Sequence, residues 1–240
     1  MERSRLNATA YDQLAPYYRE YAEQKSAYLD AVDRFIVNHT ITPAVSVLDV
    51  GAGDGVRGMA LARRLGARRI VLCEPSAELA RRCESLAAGE VWRADAEQLP
   101  LDAGRFDVIL CLWNVLGHLP DRTARVSALT RMRTLLNPAG ALFFDVNNRH
   151  NARAYGWLRV LTRRILDVSM PDERRGDAAF NWRIAGREIL TRGHLFTPAE
   201  VANLLNAAGL RVARRIAVDY GSGAYSEVPW HGQLLYQAAA

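Results

Sequence analysis

The chain has 240 residues, 50% of them hydrophobic, and a net charge of +5. That length is enough to bury a core within one domain, and no run approaches the roughly 20 apolar residues of a membrane-spanning helix. Met1-Glu2-Arg3-Ser4-Arg5 runs into polar sequence rather than the apolar core of a secretion signal, so a cytoplasmic location is expected. The positive charge does not mark a nucleic-acid binder. The basic residues are scattered and, Lys25 apart, all are arginine, which reads as a compositional habit rather than a binding stripe. Cys73, Cys83 and Cys111 are odd in number and lack metal-ligand spacing, so reduced thiols with packing roles are expected. No repeat, low-complexity tract or linker divides the chain.

In chain order, the first 44 residues read as helical. Tyr11, Leu14, Ala15, Tyr18 and Tyr21 fall at helical spacing, with Pro16 kinking the helix or starting a new one. A second helix spans roughly 27–37. The run Val45 to Val50 is nearly unbroken apolar sequence, as in a parallel strand covered on both faces. It empties into Gly51-Ala52-Gly53-Asp54-Gly55, whose glycines allow a tight turn and close approach of a ligand. Asp54 is placed to cap the helix predicted over 56–65. No Gly-Lys-Ser/Thr follows, so this is not a P-loop; Val56 stands where a dinucleotide-binding turn has its third glycine. An ordinary strand-to-helix turn is the bland alternative.

The pattern Asp49-Val50-Gly51-Ala52-Gly53-Asp54-Gly55 resembles the first motif of the class I S-adenosylmethionine-dependent methyltransferases of small molecules. The resemblance implies a Rossmann-like α/β fold: a seven-stranded sheet, mostly parallel with the last strand antiparallel. It also implies Asp49, Gly51 and Gly53 in donor binding, and S-adenosylhomocysteine as the product. In the N-terminal helix, Tyr-Asp-x-x-Ala-x-x-Tyr is similar to the family's lid, where tyrosines border donor and substrate. Tyr11 and Tyr18 are therefore read as positioning groups, against plain core packing.

A strand over 69–73 places Glu74 at its carboxyl end, about 20 residues beyond the glycine turn. An acid there can accept both hydroxyls of a ribose; capping the helix from Pro75 is the alternative. After a strand at Val91–Arg93, Asp95 and the amide of Ala96 match the family's adenine-recognition segment; otherwise Asp95 is a turn residue. A buried strand from Phe106 then leads through Leu112-Trp113-Asn114-Val115-Leu116-Gly117-His118-Leu119-Pro120-Asp121. The enzymes that methylate amino groups of DNA bases carry Pro-Pro-Tyr or Pro-Pro-Phe here, and this chain does not. The loop is instead similar to that of glycine and amino-sugar N-methyltransferases. Leu112 and Trp113 are assigned to the donor, and His118 to a place beside the substrate as a base; capping or packing on the helix over 121–136 is its other role.

Asn137 to Gly140 reads as a proline–glycine helix stop, followed by a strand over 141–146. Residues 147–192 form an expected insertion: a helical part with Tyr155, Leu158, Leu161, Ile165 and Val168 on one side, then one or two strands over 180–190. Such an insertion lies where open α/β sheets bind ligands and serves as a substrate cap. Its many arginines leave an anionic substrate open. A helix over 197–208 and strands over 210–218 and 233–236 close the chain. The expected organisation is one domain, 1–240, with a helical lid (1–44), a donor-binding core (45–146), the cap (147–192) and the end of the core (193–240).

The activity these readings imply is methyl transfer from S-adenosylmethionine to a small molecule by in-line displacement, with an amine nitrogen preferred. The alternatives are a hydroxyl acceptor, an RNA methyltransferase and a non-catalytic donor-binding partner. No metal site is expected. Nucleic acid and membrane are not expected partners, and the oligomeric state is left open, a homodimer included.

Overall fold

A computed structural model describes residues 2–41, 43–86 and 89–240. The chain opens with α1 (Glu2–Leu14), a 3-10 turn carrying Pro16, α2 (Tyr18–Glu23) and α3 (Ser26–His39). Pro16 breaks the helix by removing an amide donor at Ala15–Tyr17. Then follow β1 (Ser46–Val50), α4 (Val56–Leu65), β2 (Arg69–Cys73), α5 (Ala77–Ser85), β3 (Glu90–Trp92) and β4 (Phe106–Cys111). Next come α6 (Val115–His118), α7 (Arg122–Leu135), β5 (Leu136–Val146), α8 (Ala152–Tyr155), α9 (Trp157–Ser169), β6 (Asp177–Ile184) and β7 (Arg187–His194). The chain ends with α10 (Pro198–Ala208), β8 (Arg211–Val218), β9 (Tyr225–Ser226) and β10 (Gln233–Ala239).

The main sheet has the order β3-β2-β1-β4-β5-β10-β8-β9. Its first five strands are parallel, and β10 runs antiparallel between β5 and β8. This is the expected seven-stranded sheet with one short strand, β9, added at the edge. Both faces are covered, so alternate residues of one strand enter different cores. Val47, Val108, Leu110 and Phe143 pack with α3 and α4. Leu48, Ile109, Leu142 and Phe144 pack with α7 and α10. The three cysteines are buried and free. Strand order reverses between β1 and β4, which places the crevice of the fold at their carboxyl ends.

Several local expectations change. The α5 helix is capped by the Ser76 hydroxyl, which accepts from the Leu79 amide, and not by Glu74. The end of α7 has no left-handed glycine: Leu136 is already extended, and β5 begins there. Asn137 to Gly140 forms an irregularity against β4, between the Phe106–Leu136 and Val108–Ala141 pairs.

The largest correction concerns the inserted helix. The predicted apolar side faces water, with Leu158 83% and Val168 82% exposed, while Val160 is the buried residue. Gly156, at φ +81°, separates Tyr155 from α9 and resets its rotation. The inward side is polar: Asp167 meets Arg149 at 2.9 Å and His150 at 2.9 Å. With that side inward, the buried Asp167 carboxylate finds the Arg149 guanidinium and the His150 imidazole as partners, which a buried polar group requires.

The predicted strands of the insertion form one hairpin, β6–β7, turned by Ala185 (φ +48°) and Gly186 (φ +73°). Two left-handed residues give the tight turn that matches strand twist. At the far end of β7, His194 Nδ1 lies 2.8 Å from Asp177 and Nε2 2.6 Å from Glu200, which joins hairpin and α10. Removing the imidazole leaves Glu200 buried beside an empty space. We expect His194→Ala to lower the unfolding free energy by about 3 kcal/mol in urea denaturation.

Candidate functional site

The turn after β1 is built as the glycines predict. Gly51, Gly53 and Gly55 have φ of +73°, +60° and +77°, conformations that L side chains avoid. Space is short as well: a Cβ at Gly51 would lie 2.4 Å from Val115 Cγ2, and one at Gly53 2.2 Å from the Tyr18 hydroxyl. Asp54 accepts from the Val56 amide at 3.2 Å and from Arg19 at 3.1 Å, while Gly55 occupies the helix N-cap.

Glu74 leaves β2 and turns back over this loop. Its Oε2 accepts the Gly53 amide at 2.8 Å and its Oε1 the Ser76 amide at 2.9 Å. Each carboxylate oxygen keeps a lone pair for another donor. Burial pushes the Glu74 carboxyl up to about 7 against these two hydrogen bonds. Asp49, behind the turn and facing Arg57 and Asp33, is pushed up to about 7 for the same reason.

At the end of β4 the backbone makes a feature invisible in the sequence. Trp113 and Asn114 are both left-handed, at φ +63°, which costs free energy for a bulky residue. Asp145, at the end of β5 and 2% exposed, accepts the Trp113 amide and the Tyr28 hydroxyl of α3. Asn114 Oδ1 accepts the Asn147 amide at 2.9 Å. This reversal starts α6 and brings His118 back over the crevice.

One cleft collects Tyr11, Tyr18, Gly51, Gly53, Glu74, Ala96, Leu112, Trp113 and His118. Asp49 lines a second cavity instead, and Asp95, half-buried at the start of a 3-10 turn, lines neither. The first cleft measures about 80 Å³ and the second about 430 Å³. Small-molecule sites usually measure roughly 300–1,000 Å³. Tyr18 borders both cavities and lies over Gly53. The free lone pairs of Glu74 and the side-chain-free turn suit a nucleoside bearing two neighbouring hydroxyls.

His118 is fixed from three directions. Tyr11 Oη lies 3.0 Å from Nε2, and the Arg192 carbonyl lies 3.2 Å from Nδ1. Asn7 Nδ2 donates to the His118 carbonyl at 2.9 Å, while Asn7 Oδ1 accepts from Thr191 and Arg192 of β7. A carbonyl only accepts, so in the neutral ring Nδ1 carries the proton and Nε2 presents its lone pair. Burial, with Tyr18 and Glu74 adding to it, pushes the Tyr11 phenol well above its usual range. Tyr11 is thus a neutral donor to Nε2. Sequence reasoning gave no site role to Asn7, Tyr28, Trp182 or Asp145. An acid inside the apolar run Phe143-Phe144-Asp145-Val146 was the available signal for a buried anchor.

The sheet order, the glycine turn and the acid ending β2 are those of the Rossmann-like methyltransferase fold. Residues 47–140 match the family model described as a methyltransferase domain. The ubiquinone biosynthesis O-methyltransferase of Neisseria meningitidis serogroup A is 29% identical over 192 residues, covering 78% of this chain and 72% of that protein. The Azotobacter vinelandii protein of the same name is 36% identical over 128 residues, 50% of this chain and 52% of that one, so this match spans about half its length. The CcbJ methyltransferase from Streptomyces caelestis shares the fold with a TM-score of 0.66 at 18% identity, over 88% of this chain and 89% of its own. No helix among the described residues is long and apolar enough to cross a membrane.

The titration of Glu74 gives a test of donor binding. Its carboxylate accepts hydroxyl donors best when ionised, so affinity for S-adenosylhomocysteine should fall roughly tenfold between pH 8 and pH 6. Calorimetry should show that slope flattened, at lower affinity, in Glu74→Gln and kept in Asp49→Asn.

Proposed function

We propose that this chain transfers a methyl group from S-adenosylmethionine to a small molecule, and that the acceptor atom is a hydroxyl oxygen deprotonated by His118. The sulfonium supplies an already electrophilic methyl group, so the protein's task is alignment, exclusion of water and removal of one proton. Glu74 accepts the two ribose hydroxyls, Gly51 and Gly53 permit close backbone approach, and Asp49 shapes the methionyl side. The amide of Ala96, with the carboxylate of Asp95 at the rim, meets the base. Leu112 and Trp113 form the opposite wall, and Tyr18 covers the turn.

The observation that carries the base role is the orientation of His118. With Nδ1–H held by the Arg192 carbonyl, Nε2 is the proton acceptor and Tyr11 is hydrogen-bonded to that same atom. A hydroxyl arriving beside Tyr11 can displace this bond and pass its proton to Nε2. The ubiquinone biosynthesis relatives carry O-methyltransferase in their names, in keeping with this. An amine acceptor is the second reading, favoured by the likeness of the Asn114–Asp121 loop to N-methyltransferases; an ammonium would lose its proton to the same nitrogen.

The test is transfer of radiolabelled methyl to paired phenols and anilines. His118→Ala should lower kcat at least about a hundredfold and Tyr11→Phe less, both leaving the affinity for S-adenosylhomocysteine within twofold. Full turnover by His118→Ala would remove the base role, and preference for anilines would transfer the proposal to nitrogen.

A further inference from the structure

Beside the donor cleft, between the lid, the β6–β7 hairpin and the start of β10, lies a chamber of about 410 Å³. Rings dominate its walls. Tyr21 stacks on Trp113 at 5.3 Å, and Tyr11 meets Trp182 edge-on at 5.0 Å. Tyr155 and Tyr220 complete the aromatic lining. Tyr11 and His118 stand on the wall shared with the donor cleft.

The charge of this lining is one-sided. Among the described residues no aspartate or glutamate lines the chamber, and its charged side chains are Lys25 and Arg183. Arg183 is already paired with Glu188 at 2.9 Å on the exposed hairpin. Lys25 faces the Tyr220 ring at 5.2 Å and has no carboxylate partner among the described residues. It is also the only lysine among 31 basic residues. Four arginines of the insertion are ion-paired elsewhere: Arg149 and Arg175 at Asp167, Arg153 at Asp219, Arg174 at Asp172.

We propose that this chamber takes a small, ring-bearing anion, with its carboxylate, phosphonate or phosphate at Lys25 and its ring between the tyrosines and tryptophans. The inference rests on reading the chamber as the acceptor site, and it names the class of acceptor. A half-buried ammonium with an aromatic neighbour and no counter-ion gains a charge-assisted hydrogen bond from such a group. The absence of a lining carboxylate among the described residues works against cationic acceptors, because a buried positive charge would find no counter-ion and two like charges, Lys25 and Arg183.

The experiment is a binding titration of the full chain followed by tryptophan fluorescence, since Trp113 and Trp182 line the chamber. Benzoate and phenylphosphonate are compared with neutral benzamide. At least one acid is expected to bind about tenfold more tightly than benzamide, Lys25→Gln to erase that difference, and Lys25→Arg to keep most of it. Circular dichroism melts check that the variants fold. The proposal is overturned if neither acid outbinds benzamide, or if the preference survives in Lys25→Gln. Lys25-dependent acid binding without S-adenosylhomocysteine binding would remove the transferase reading alone; donor binding with methyl transfer indifferent to acceptor charge would remove this inference alone.

Discussion

The structure depends on one buried carboxylate. Asp145 stands near the end of β5, beside β4, and accepts from two groups far apart in sequence, the Trp113 amide and the Tyr28 hydroxyl. The first bond holds the end of β4 in two successive left-handed residues, a conformation that local forces oppose. The second ties the lid helix α3 to the same point. Burial raises the Asp145 carboxyl, and its hydrogen bonds offset that cost. Without this knot, β4 would run straight on, α6 would point elsewhere, and His118 would leave the crevice.

From that anchor the site is assembled by segments that have no local reason to meet. The lid reaches the core through Asp12, whose carboxylate accepts from the Ser76 hydroxyl and the Glu78 amide at the start of α5. It reaches the hairpin through Asn7, and through a small apolar cluster of Ala10 and Leu14 with Ile184 and Ile189. Tyr18 and Tyr11 thus lie between the sheet and two added elements. Under the proposed function, chemistry and selectivity divide accordingly. The sheet presents Glu74 and the glycine turn, whereas the lid and hairpin supply the rings, the lone lysine and the backbone carbonyl that sets the histidine's tautomer.

The donor half was legible because its signals are local. A β-branched run followed by three glycines states a strand and a left-handed turn within ten residues, and Glu74 follows one helix and one strand later. The His194 clamp shows the opposite. Nothing in the spacing of Asp177, His194 and Glu200 reveals that both ring nitrogens meet carboxylates, because the contact needs the hairpin to close first. The α9 helix misled for a related reason. Its apolar spacing was real, but Gly156 and the Arg149–Asp167–His150 cluster turned the polar side inward.

The sequence by itself determined the class of sheet, the place of the glycine turn, the acid at the end of β2 and the presence of tyrosines and a histidine near the crevice. Each of these follows from short-range sterics, hydrophobic periodicity or the counting of elements. Only the tertiary structure decided that Tyr11 faces Nε2 of His118, that Asp49 turns away from the cleft holding Glu74, and that Lys25 enters a chamber lined by no carboxylate among the described residues. Those relations join residues far apart in sequence, Tyr11 and His118 by 107 positions. They are settled by packing and by the matching of buried polar groups, forces that act only after the chain has folded back on itself.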